Sequence, residues 1–216
     1  MSGIHERGTA MAELWINQDR GRPWKGSIVY TYCLFCETVK CRSVAEEITE
    51  RLHCRAISPK LVQHTWSRGK AVDIVHDLLP GYVFVYAEEA PLDITLLCSI
   101  GGVIRCLCDG NKQFELFGSD EQFALMILQK DGVIGKTKVY REGQMIYICQ
   151  GAYQGLETRI LKVSPRNMRM QIEIPFANMS IKTWVEYEIV SPDEPAAVFP
   201  RRTEGDAGWQ ETRPTK

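Results

Sequence analysis

The sequence predicts an α+β protein in two units: an antiparallel sheet with helices packed on it, then a small closed β-barrel. Three observations carry the prediction. Residues 28–129 run strand, helix, strand, hairpin, strand, helix, strand, helix. Residues 130–140, "KDGVIGKTKVY", lose any apolar period and gain Gly and Lys, as a flexible linker does. From 141 to 190 the period becomes two, with Met170, Ile172 and Ile174 alternating against Arg169, Gln171 and Glu173. The flanks, residues 1–27 and 191–216, are rich in Gly, Pro and charge without apolar period, and are expected to be disordered.

The first strand, "IVYTYCLF", is aromatic and β-branched, which suits a pleated strand. A helix follows, because Cys41, Val44, Ala45, Ile48 and Leu52 recur at helical spacing while Glu46, Glu47 and Glu50 take the other side. "AISPK" reads as a short strand, and "HTWSRGKAVDIVH" as a hairpin with Ser67, Arg68 and Gly69 at its tip. In "LLPGYVFVYAEE", Tyr82, Phe84 and Tyr86 share one strand face, Val83 and Val85 the other, and neither face is polar. Either both faces are buried or the aromatic one is kept for a partner. After Pro91 comes a short helix stopped by Gly101 and Gly102, then the strand "VIRCLC". Ser119 and Gln122 have capping-box spacing at the head of a third helix that buries Phe123, Met126 and Ile127. Four strands, near 144–149, 157–163, 169–174 and 179–185, would form the barrel.

Charge bounds the partners. Of 216 residues, 26 are Lys or Arg and 27 are Asp or Glu, so no global basic field exists and any nucleic-acid contact must be local. Lys40, Arg42, Arg68 and Lys70 are candidates for one such edge, suited to phosphate contact without base reading. No apolar run approaches the roughly 20 residues needed to span a bilayer, and no signal-like stretch opens the chain. The expectation is a soluble, cytoplasmic monomer with no membrane partner.

Eight cysteines in such a chain raise the question of metal. In "CLFCETVKC", Cys33 and Cys36 fall three apart on a strand and so on opposite faces, while Cys41 lies on the apolar face of the helix. They read as small core residues rather than zinc ligands. The histidines, His5, His53, His64 and His76, are scattered away from any nucleophile motif. Neither an enzyme, a cofactor nor a metal is expected.

Two segments carry a family resemblance. "LLPGYVFVYAEE" resembles the P-G-Y-V-F-V core strand of the NusG amino-terminal domain, and "EGQMIYICQGAYQGLETRILKV" resembles the KOW motif that follows it, with Gly151 and Gly155 bracketing a turn. "TYCLFCETVKCRSVAEEI" is similar to the family's opening strand and helix, with Thr31 where the family has tryptophan. The resemblance spans about residues 30–190. Within the family, "GLETRILKVSPRNMRMQIEI" and "EYEIV" look closest to the specialised UpxY and LoaP antiterminators.

The resemblance implies a NusG-like α/β sandwich and a KOW barrel. It further implies a transcription elongation or antitermination factor that docks the clamp helices of bacterial RNA polymerase, bridges the clamp and suppresses pausing in a long biosynthetic operon. The docking pocket carried over is Phe35, Tyr82 and Phe84, with Pro80 and Gly81 setting the strand's entry. The factor would touch nascent RNA or DNA in the elongation complex, the barrel contacting RNA through Lys162, Arg166, Arg169 and Lys182, with Tyr153 as an exposed stacking ring; ribosomal protein or a termination factor is the alternative partner there. Rival readings are a general NusG-type factor, a ribosome-associated KOW protein and a zinc-dependent redox regulator.

Overall fold

The computed structural model describes residues 30–67, 70–88, 91–143, 145–154, 156, 158–190 and 209–210. Expectations for residues 1–27, for Arg68 and Gly155, and for most of 191–216 lie outside them. The chain divides into two compact units, Met1–Ile134 and Gly135–Lys216.

In the first unit, β1 (Tyr30–Cys36) and β5 (Tyr82–Ala87) form the centre of a four-stranded sheet whose edges are β2 (Arg55–Ile57) and β6 (Val103–Cys106), in the order β2-β5-β1-β6. The antiparallel register of β1 and β5 sets Thr31 opposite Tyr86, Cys33 opposite Phe84 and Phe35 opposite Tyr82. The intervening residues, Tyr32, Leu34, Val83 and Val85, point to the other face.

Helices cover both faces. On the Tyr32–Leu34–Val85 face, α1 (Cys41–Leu52) and α2 (Ile94–Cys98) press Cys41, Val44, Ala45, Ile48 and Leu97 into one apolar cluster with Cys36 and Cys106. The helical period read from the sequence therefore buries the face it named. His53 closes α1 in the left-handed region at φ 54°, a capping role for one of the histidines. On the opposite face lies α3 (Ser119–Gln129) with Phe123, Ala124 and Ile127 buried. Phe123 meets Phe84 edge-on, ring centroids 6.0 Å apart, and Ala124 O accepts a 2.7 Å hydrogen bond from Tyr86 Oη. The capping box at Ser119 and Gln122 is not made. Helical geometry already includes Ser119, so the N-cap is Gly118 at φ 60°, which has no side chain to cap with.

The predicted hairpin is present as β3 (Lys60–Ser67) and β4 (Lys70–Asp77), in register from Lys60 opposite Asp77 to Ser67 opposite Lys70. The linker expected over 130–140 is corrected. Val133–Ile134 form β7, which pairs in parallel with Lys60 and Leu61 of β3, and Thr137–Glu142 form β8 in the second unit. Between those two strands stand Gly135 and Lys136 alone. Short strands with a buried Ile134, Thr137 and Val139 were hidden by the neighbouring Gly and Lys residues.

The second unit adds β9 (Met145–Gln150), β10 (Arg159–Ser164), β11 (Arg169–Phe176), β12 (Met179–Ile189) and β13 (Trp209–Gln210). The order is β10-β11-β12-β8-β9-β13, and the two edge strands approach each other. The expected alternation holds, with Met170, Ile172 and Ile174 inside and Arg169, Gln171 and Glu173 half-buried on the other side. Two corrections apply here. β8 joins the sheet by a parallel pairing with β12, and β13, in the tail expected to be disordered, pairs antiparallel with β9.

Phe84 is fully buried against Phe123, so Phe84→Ala leaves a cavity between sheet and helix and is expected to cost about 3–5 kcal/mol. Val72→Ala, at an exposed position of the hairpin, is expected to stay within about 0.5 kcal/mol. Urea unfolding followed by circular dichroism checks both; equal midpoints would contradict the packing of α3 on β5.

Candidate functional site

The aromatic face of β5 answers to two environments along its length. Tyr86 and Phe84 lie in the core with α3, whereas Tyr82, at the start of the strand, is half-buried. Across β1 its partner is Phe35, also half-buried, with ring centroids 5.3 Å apart and planes inclined by 48°. One strand further, register places Arg105 of β6 opposite Phe35, and the exposed guanidinium sits 5.9 Å from the Phe35 ring centroid. A row runs Tyr82, Phe35, Arg105 across three strands, two rings followed by a cation.

The Pro80–Gly81 turn frames one end of that row. Gly81 has φ +88°, and a Cβ there would lie 3.2 Å from Phe35 Cε2 and 3.3 Å from Cys36 O. Its carbonyl accepts a 2.7 Å bond from Cys36 N, so the turn is tied to the end of β1. Glycine is needed both for the left-handed backbone and for the space the Phe35 ring occupies. Pro80 is exposed at the corner.

The structure thus brings together Phe35, Pro80, Gly81 and Tyr82. It does not bring Phe84 to the surface: at 0% exposure, Phe84 is core, because α3 covers that part of the face. Arg105 was not singled out from sequence. Its signal was a lone cation inside the strand "VIRCLC", whose face only the register on β1 determines.

The basic candidates separate in the same way. Lys40 pairs with Glu37 at 3.0 Å and Arg42 with Glu46 at 2.7 Å, both on exposed surface where such pairs contribute little. Lys70 is exposed on β4. In the second unit, Lys162 on β10 and Arg166 in the turn Pro165–Asn167 are exposed. Arg169 reaches Glu186 at 3.3 Å, and Lys182 reaches Glu173 at 3.5 Å. Tyr153 is corrected: it is 1% exposed, and its buried hydroxyl has no hydrogen-bond partner among the described residues, so it is a core ring and cannot stack on a base. Burial raises its pKa accordingly. Among the described residues of this unit, Trp184 is an exposed aromatic, which the sequence placed simply in a strand.

Five of the eight cysteines lie in the core. Cys33, Cys36, Cys41, Cys106 and Cys149 are buried, and burial pushes the Cys36 and Cys106 thiols up to about 12 and Cys33 well upward. Among the described residues, no three His, Cys, Asp or Glu side chains are placed to hold a metal ion, and no helix is long and apolar enough to cross a membrane.

Comparison with known proteins gives one family. Residues 31–126, within the first unit, match the family described as "Transcription termination factor nusG". No curated protein matches the chain. A solved structure titled "Domain interaction in Thermotoga maritima NusG" is 14% identical, covers 74% of this chain and 94% of that one, and superposes with a TM-score of 0.46.

Burial of the thiols has a direct readout. Near pH 8, Cys98 and Cys108, both exposed, are expected to react with Ellman's reagent in the native protein, whereas Cys33, Cys36, Cys41, Cys106 and Cys149 should react only on unfolding. Native labelling of all eight at one rate would refute this packing.

Proposed function

We propose that this chain, whose residues 31–126 match the NusG family, is a transcription factor that binds RNA polymerase through the open end of its first sheet. The observation that carries the reading is the row Tyr82–Phe35–Arg105. Two half-buried rings and a cation stand together at the end of a strand pair whose next aromatic residues on β5, Phe84 and Tyr86, are covered by α3. Such a row offers ring area to a helical tip while the tyrosine hydroxyl and the guanidinium satisfy polar groups at its edge. Binding there acts without chemistry: a factor with higher affinity for the closed clamp shifts the polymerase away from paused and terminating states.

The finer reading is an operon-specific antiterminator of the UpxY and LoaP kind, supported by the sequence resemblance of the second unit. In that reading the second unit contacts RNA, and Lys162 and Arg166 are the exposed cations that reach it. A general NusG-type elongation factor is the alternative, with the second unit engaging ribosomal protein or a termination factor.

Replacing Tyr82 and Phe35 by Ala removes both rings, and truncating such anchors typically costs about 2 kcal/mol or more of binding, roughly thirtyfold in Kd. Arg105→Glu is expected to weaken binding further by reversing the charge at the rim. Co-purification with bacterial RNA polymerase, alongside circular dichroism to establish folding, measures the effect. A folded double variant that retains polymerase at the wild-type level would remove the site from this row.

A further inference from the structure

We infer that Ile104, turned outward by a β-bulge in β6, is an apolar anchor that extends the Tyr82–Phe35–Arg105 row and selects a helical tip carrying an aliphatic side chain beside a carboxylate. The inference rests on the polymerase-binding reading above and adds to it a residue and a partner chemistry.

The register defines the bulge. Cys106 lies opposite Leu34, Arg105 opposite Phe35 and Val103 opposite Cys36, so three steps along β6 match two along β1. Cys106 belongs to the apolar cluster beneath α1 and α2, and Val103 packs against that cluster. Strict alternation over three steps would send those two side chains to opposite faces. With both inward, one residue is extra: β1 has Phe35 alone between Leu34 and Cys36, whereas β6 has Ile104 and Arg105 between its inward pair. A bulge sets two residues of one strand against one of its partner and re-aims a side chain, and such features gather at sheet edges and beside active sites. β6 is an edge of the four-stranded sheet, and Ile104 and Arg105 are its exposed residues, Ile104 at 57%.

The bulge is held at both ends. Before it, Val103 N donates to Ile100 O at 3.1 Å, and Gly102 O accepts a 2.8 Å bond from Glu37 N. Gly102 has φ +108°, and a Cβ there would lie 2.9 Å from Lys40 Cδ and 3.2 Å from Val44 Cγ2, so glycine lets this turn press onto the head of α1. After it, Leu107 N donates to Cys33 O at 2.8 Å. Ile104 is therefore presented on a fixed backbone, and little freedom is lost when a partner covers it. Its neighbours set the partner's chemistry. Arg105 stands 5.9 Å from the Phe35 ring, so an aromatic, a cation and an aliphatic group lie side by side. An aliphatic side chain gives a base no ring to stack on, and one guanidinium is too little charge to follow a phosphate backbone, so nucleic acid does not suit this surface. A helix end with an aliphatic residue against Phe35 and Ile104 and a carboxylate against Arg105 satisfies all three groups.

The test uses the full chain and purified bacterial RNA polymerase, with Kd measured by biolayer interferometry across a salt series and folding followed by urea unfolding. Ile104→Ala and Ile104→Gln are expected to weaken binding about tenfold at every salt concentration, and Ile104→Val to stay within about threefold of wild type, because apolar contact is what is lost. Arg105→Gln is expected instead to reduce the salt dependence, since it removes a charge. Ile104 is exposed, so the urea midpoints of its three variants should match the wild type. Wild-type affinity in the Ile104→Gln variant, with binding lost in the Phe35→Ala, Tyr82→Ala variant, overturns this inference, leaves the bulge as a device that blunts the sheet edge, and keeps the polymerase reading. A loss in Ile104→Gln that vanishes at high salt also overturns the apolar anchor. Wild-type affinity in both of those variants, or no binding by the wild-type chain, overturns the inference and the reading together.

Discussion

The pairing of β1 with β5, buried on both faces, is the constraint on which the first unit depends. A strand with Val83 and Val85 on one side and Phe84 and Tyr86 on the other cannot leave either side in water without exposing a large apolar area. Fully burying each such side chain is worth about 1.5–3 kcal/mol, so both faces acquire helices. The helices in turn fix the loops that lead to them. Leu116 N donates to Thr31 O just before α3, and Glu37 N donates to Gly102 O just before α1. The sheet therefore positions its own coverings, and the surface left for recognition is what those coverings do not reach.

That surface is small because the strand pair outruns its cover by one row. Tyr82 and Phe35 continue the aromatic ladder past Phe84 and Cys33, and the Pro80–Gly81 turn ends it. The same ladder supplies stability at one end and, in the proposed reading, a recognition surface at the other. Its rigidity comes from the core rows, which are held by the Phe84–Phe123 contact and the Tyr86 hydroxyl bond. A ring pre-oriented in this way loses little freedom on binding, which favours affinity.

The second unit solves its polar problem differently. Glu186 is buried to 5% exposure yet keeps Arg169 at 3.3 Å, and truncating one partner of such a pair strands the other. Arg169 thus has a structural duty beside any contact with nucleic acid, and the exposed cations Lys162 and Arg166 are better suited to contact alone. Tyr153 packs its ring in the core, and among the described residues its buried hydroxyl has no hydrogen-bond partner.

The sequence by itself determined which segments are helix and which are strand wherever periodicity is strong and local. It identified the buried face of α1, the hairpin, the β5 strand and the alternation of β11, because burial imposes periods of 3.6 and two directly on residue choice. Short strands escaped it: β7, β8 and β13 are too brief or too crowded by Gly and Lys to show a period, and they exist because partner strands satisfy their backbone groups. The site was half legible. Phe35, Pro80, Gly81 and Tyr82 follow from one motif and the strand before it, whereas the burial of Phe84, the inward turn of Tyr153, the arrival of Arg105 and the exposure of Trp184 depend on register and on which helix covers which row. Those are relations between residues far apart in the chain, and only the tertiary structure decides them.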